Sequence, residues 1–196
     1  NISLDRNKKE INSKNFTTIK DNKSNYYELS EFKFIYNNEI LKGKNIKAIT
    51  NYKKNNSDEF NFTNGIFNLK DNFFTSKDTK VYLHKNLFSK SLSKDNKFKS
   101  DNDPRIFSVS SKGNEKKTTL NKAIFTSCKI NNNCPAWSIK ADKIVHDKVK
   151  KEISYKDAVL NIYDMPIFYF PKFFHPDPSV ERRSGLLQPR FNNSDI

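Results

Sequence analysis

What most constrains this chain is its grammar of short alternating runs. Tyr27 and Leu29 alternate with polar residues, and so do Phe32, Phe34 and Tyr36. The pattern returns at Ile46, Ala48 and Thr50, at Phe60 and Phe62, and at Val81 and Leu83. Asn, Asp, Gly or Ser breaks each run. Side chains that alternate with a period of two belong to strands with one face in a core. Helical spacing with caps is almost absent. The basic stretch Asp142 to Lys151 carries β-branched residues and no helix start signal. No apolar run approaches the ~18 residues of a membrane helix. An all-β fold follows.

The runs also repeat. Tyr27 and Leu29 lie over Phe60 and Phe62 at a spacing of 33 residues, and Asn38 to Thr50 lies over Asp71 to Leu83 at the same spacing. Each unit reads as strand, turn and further strand. One unit cannot bury its own apolar face, so several must stack. The expected architecture is a bent, folded-over antiparallel sheet or a solenoid-like stack, apolar inside.

Three segments follow from texture. Residues 1–25 are polar, with one weak strand candidate at Asn15 to Lys20, and read as a frayed or edge segment. Residues 26–164 form the β domain. Within it, His84 to Lys116 reads as a polar excursion around a strand candidate at Ile106 to Ser110. Residues 165–196 are aromatic and broken by Pro166, Pro171, Pro176 and Pro178. Proline cannot donate to a ladder, so this is an edge strand or connector. The chain opens at Asn1 without a basic, then apolar, leader, and it is expected to be a trimmed chain or fragment that continues past Ile196.

Charge points to partners rather than fold. Lys plus Arg number 36 against 22 Asp plus Glu, a net +14. Such a surface favours polyanions: nucleic acid, anionic lipid headgroups or phosphorylated glycolipid. Lysine and asparagine excess is also what an AT-rich coding sequence produces. With only four glycines, a Gly-rich phosphate loop is not supported. No Ser/His/Asp arrangement or carboxylate pair stands out, so no catalytic residue, no cofactor and no metal are assigned. Cys128 and Cys134 are too far apart for a Cys-x-x-Cys redox pair and do not match a zinc spacing, even with His146 or His175 recruited. Trp137 reads as core. Phe168, Phe170, Phe173 and Phe174 either line a path or simply pack. His175 and Asp177 read as turn residues among prolines. A basic β module for nucleic acid would use the charge and the aromatics, but the Pro-rich tail and the Cys pair do not suit it, and no nucleic-acid partner is expected.

The second half carries a more specific pattern. Cys128 and Cys134-Pro-Ala-Trp-Ser-Ile-Lys-Ala141 are followed by Ile144-Val-His-Asp147, Ile153-Ser-Tyr-Lys-Asp-Ala158, Pro166-Ile-Phe-Tyr-Phe-Pro171, His175-Pro-Asp-Pro-Ser-Val180 and Arg183-Ser-Gly-Leu-Leu-Gln-Pro189. Residues 120–191 resemble the LPS-assembly outer-membrane protein family LptD (OstA), most closely its alphaproteobacterial forms. Residues 26–84 match that family in texture alone.

The resemblance implies a taco-like periplasmic β-jellyroll in the cell outer membrane system. Such a domain takes lipopolysaccharide from a periplasmic bridge protein of similar fold, joined by edge-strand addition. It passes the lipid to a barrel plugged by an outer-membrane lipoprotein, with Arg183 to Phe191 leading toward the first barrel strand. It further implies disulfides, either a local Cys128–Cys134 bridge or pairing with barrel cysteines. On that reading the groove-lining candidates are Phe73, Phe125, Trp137, Ile139, Leu160, Ile162, Phe168 and Phe170. The anion-facing candidates are Lys42, Lys44, Lys47, Lys80, Arg182 and Arg183. Burial of acyl chains at about 25 cal/mol per Å² carries the affinity. Each exposed lysine adds about 1 kcal/mol or less and mainly orients the lipid.

Overall fold

The computed structural model describes residues 2–21, 24–54, 57–83, 104–127 and 136–180. Among them the chain forms thirteen strands in one antiparallel sheet. In chain order these are β1 (Ile2–Asp5), β2 (Glu10–Ser13), β3 (Thr17–Lys20), β4 (Tyr26–Leu29), β5 (Glu31–Ile35), β6 (Ile40–Ile49) and β7 (Glu59–Asn68). There follow β8 (Phe73–Tyr82), β9 (Arg105–Gly113), β10 (Lys117–Thr126), β11 (Trp137–Asp147), β12 (Glu152–Ile162) and β13 (Met165–Pro176). From β5 onward each strand pairs with the next, a meander of hairpins. The fold is all-β, as the alternation predicts, and jellyroll-like, as the resemblance implies.

The bend has a local cause. Along β6, Leu41 and Ile46 are buried while Lys44 and Asn45 between them are both exposed. The inward-outward alternation therefore slips by one residue at Asn45. The same slip occurs at Lys77-Asp78 in β8, between buried Ser76 and Thr79. Lys122 in β10 and Asp157 in β12 repeat it. All four residues have positive φ: 45° at Asn45, 49° at Asp78, 47° at Lys122 and 51° at Asp157. Left-handed backbone disfavours residues with a Cβ, and Asn and Asp tolerate it best. Three of the four positions hold Asn or Asp.

Cross-strand pairing steps over these positions in line. It passes from Lys44↔Asn64 to Ile46↔Phe62, from Lys77↔Ser110 to Thr79↔Ser108, and from Lys156↔Lys172 to Ala158↔Phe170. A single crease thus crosses the sheet from β6 to β13. Pro171 sits on it opposite Asp157, where the register asks for no ladder hydrogen bond. On the N-terminal side the crease becomes a split at Ser30. There β4 pairs with one half of β6 and β5 with the other.

Across the crease the two halves of the sheet face each other. In a flat sheet Phe125 and His175 would stand roughly 25–30 Å apart, from strand spacing and rise. Their rings are 5.1 Å apart. Small residues permit this approach. A Cβ on Gly43 would lie 2.6 Å from Leu29 Cδ2, and one on Gly65 would lie 2.8 Å from Ile46 Cδ1. Within the crease, the hydroxyls of Ser76, Thr79 and Ser111 bond one another at 2.5–2.9 Å.

One apolar row runs the width of one half: Tyr27, Ala48, Phe60, Val81, Ile106, Phe125, Ile139, Leu160 and Phe168, each the ladder neighbour of the next. The 33-residue repeat has a structural basis. It is the hairpin period, so it superposes β6 on β8 and the crease residue Asn45 on Asp78. Residues 1–25 contain three strands rather than one weak candidate. Ile2 and Leu4 are exposed on β1, so short, polar, edge-located strands carried little alternation to read.

Candidate functional site

The seam where the two halves meet at their strand ends holds an apolar cavity of about 390 Å³. That volume falls in the ~300–1,000 Å³ range of small-ligand pockets. Its wall is Tyr27, Ala48, Phe60, Phe62, Phe67 and Phe74. These come from the inward faces of β4, β6, β7 and β8. The rings interlock: Phe60–Phe62 centroids are 5.9 Å apart, Phe62–Phe74 5.7 Å and Phe67–Phe74 6.1 Å. Tyr27 meets Phe67 edge-on at 6.0 Å. The Tyr27 hydroxyl donates to Asp21 at 3.2 Å. Burial first, and then the Asp21 carboxylate, push its ionisation well above the ordinary tyrosine range, so it stays neutral. The rim is polar, with Asn25, Asn68, Asn72 and Asn114 among its residues. The arrangement offers no nucleophile–base pair. It can shelter an aliphatic chain and hold polar groups at the mouth.

The seam is fastened at the cavity and beyond it. Lys148 Nζ lies 2.6 Å from the buried Asp58 carboxylate and 5.7 Å over the Phe60 ring. Thr50 N donates to Asp58 O at 3.0 Å, which fixes the loop before β7. Further along, His146 Nε2 meets Asp177 Oδ2 at 2.5 Å, both side chains being buried. Asp177 Oδ1 also accepts from Ser179 N at 2.9 Å and Ser179 Oγ at 2.6 Å. His175 lies near the end of β13, where its Nε2 is 2.7 Å from the Tyr155 hydroxyl. Burial pushes its basicity down and outweighs the pull of the Pro176 carbonyl and Asp177. His175 is thus a core residue rather than a turn residue. Asp177 does form a turn, and also partners His146. Sequence offered no sign of this cluster, because its members come together only through folding.

The expected groove residues separate. Phe73 stands at the cavity rim and is 42% exposed. Its neighbour Phe74 is the one in the wall. Phe125, Trp137 and Ile139 fill the core of the other half, where Phe125 and Trp137 rings lie 5.8 Å apart. Leu160, Ile162 and Phe170 are half-buried on β12 and β13, and Phe168 is 59% exposed on β13. None of these seven lines the cavity. The lysines lie on the opposite face of the sheet. Lys42 and Lys44 border an outer channel, and Lys44 pairs with Glu31. Lys47 sits 4.0 Å from Glu28 and 3.9 Å from Glu59. Lys80 lies 5.9 Å over the Phe107 ring. Cys128, Cys134, Arg182 and Arg183 fall outside the described residues, as does most of the polar excursion 84–116. Among the described residues no His/Cys/Asp/Glu group could hold a metal, and no helix is long and apolar enough to cross a membrane.

No family model matches the chain. Similarity to curated proteins is specific. The chain is 40% identical over 76 residues to the LPS-assembly protein LptD of Pseudoalteromonas translucida, a match covering 39% of this chain. It is 35% identical over 85 residues, 42% of the chain, to LptD of a Polaromonas species. It is 39% identical over 75 residues, 38% of the chain, to LptD of Haemophilus ducreyi. Over about two fifths of its length the chain is similar to LptD proteins. It spans about a tenth of the length of the LptD proteins it matches, 10%, 10% and 9% of these three. The LptD name describes an assembly protein and no enzymatic reaction.

Proposed function

We propose that this chain is the periplasmic, lipid-handling part of an outer-membrane lipopolysaccharide translocon. The observation that carries the reading is the phenylalanine-walled cavity at the open side of a folded sheet, in a chain similar to LptD proteins. Acyl chains occupy the cavity, and the sugar and phosphates stay outside at its polar mouth. About 0.8 kcal/mol per buried methylene favours the tails entering it. The lipid comes from a bridge protein and leaves toward a barrel, both joined to this sheet in line.

Photocrosslinking tests the site. A photoreactive residue at Phe62 or Phe67 is expected to crosslink lipopolysaccharide, and one at outward-facing Lys156 is expected not to. Crosslinks from position 156 alone reject an interior path.

A second reading is a structural bridge that works by strand addition. The exposed edges favour it: β1 and β3 end the two halves on one side, and β13 ends the sheet on the other. Successive N–H groups on β1 point to opposite sides, so one of Ser3→Pro and Leu4→Pro removes an outward donor. That variant is expected to lose assembly with the bridge protein while lipid crosslinking persists. If both variants assemble normally, β1 is not the joining edge.

A further inference from the structure

A second concavity crosses the face of the sheet turned away from the core. It encloses about 860 Å³. One wall follows the ladder from Asn12 through Lys33, Lys42, Ile66 and Thr75 to Lys112. The other follows Glu31, Lys44, Asn64, Lys77, Ser110 and Asn121. Between them the floor is the backbone of the inward row, including Gly43 and Gly65. From β2 to β10 the channel runs roughly 30 Å at the spacing of neighbouring strands.

Its charge is one-sided. Lys14 also borders it, so the lining holds six lysines against one acid, Glu31. Glu10 pairs with Lys33 at 2.7 Å, and Glu31 pairs with Lys44. Lys42, Lys77 and Lys112 stand exposed along both walls. Asparagine amides and hydroxyls alternate with them. The ladder register fixes this order, so it is a property of the fold.

The geometry points to a binding channel for an extended acidic oligosaccharide, a ligand class separate from the acyl chains of the interior cavity. Lysines meet its carboxylates or phosphates, while Asn64, Asn121 and Ser110 meet its hydroxyls. The walls carry no outward aromatic ring, whereas single-stranded nucleic acid is held by base stacking on such rings. A concave channel also does not fit a flat anionic membrane.

The test uses the full chain and three probes in low salt: hexagalacturonate, uncharged maltohexaose and a dodecamer of deoxythymidylate. Hexagalacturonate is expected to bind, and the triple variant K42E/K77E/K112E to weaken it by at least about tenfold, each lysine contributing up to about 1 kcal/mol. The control K116E/K140E/K151E makes the same charge change outside the channel and is expected to stay within about threefold. All six positions are exposed, and matching melting curves confirm that both variants fold. Equal loss in the control means that net charge alone binds, and overturns the channel. Maltohexaose binding equally well overturns the acidic ligand, and deoxythymidylate binding as tightly and with the same variant sensitivity overturns the saccharide. Failure of hexagalacturonate to bind overturns the proposal outright and leaves the acyl cavity untouched.

Discussion

Replacing Phe125 with alanine is expected to lower folding stability by about 3–5 kcal/mol, measured by urea unfolding. Phe125 is fully buried, at 0% exposure. Its ring joins both halves of the sheet. It lies 5.8 Å from Trp137 on its own half, and 6.2 Å from Tyr155 and 5.1 Å from His175 across the crease. Truncation would leave a cavity between walls that are held apart by backbone ladders and cannot collapse inward. For a chain of this size the loss corresponds to a melting shift of at least about 6 °C. A cost under about 1 kcal/mol would show that the halves are not packed through this ring. Phe73→Ala is the contrast. At the rim it is expected to cost little.

The second large effect is at the far end of the domain. Asp177→Ala is expected to cost about 1–3 kcal/mol, because it leaves buried hydrogen-bonding partners unsatisfied rather than removing a surface pair. His146 Nε2 would lose its contact in a site closed to water, and Ser179 would lose both of its hydrogen bonds to the carboxylate. His146→Ala paired with Asp177→Ala separates the contributions. The double variant is expected to be much less destabilised than the sum of the singles. Simple additivity would show that the two residues act independently. The physical role is attachment. The contact ties the segment after β13 to β11.

Part of this was legible in the sequence. Period-two alternation gave the fold class and the strands of 26–83 and 137–163, and the prolines at 166, 171 and 176 marked β13 as an edge. The crease was hidden, because a one-residue slip in alternation reads as noise in one strand and becomes meaningful only when eight strands align it. The same physics explains Phe73 and Phe74. In a run of two phenylalanines a shift of one residue exchanges inside for outside, and only the pairing with Phe67 fixes the phase. The cavity was half visible in Phe60 and Phe62. Its other wall comes from Phe67 and Phe74, which fold back beyond the crease. The lysines expected to face anions are placed by the ladder on the outer face, since Lys42 and Lys44 flank an inward Gly43.

The positive-φ residue of the crease recurs on every second strand, so the cross-section of the folded sheet is set by a hairpin unit rather than by the whole domain. Contacts run mainly between neighbouring strands, as in stacked-repeat architectures. Inserting or deleting one whole hairpin would therefore change the width of the sheet without changing how each strand folds over. A fold of this kind can grow by counting modules, while the section through each module stays the same.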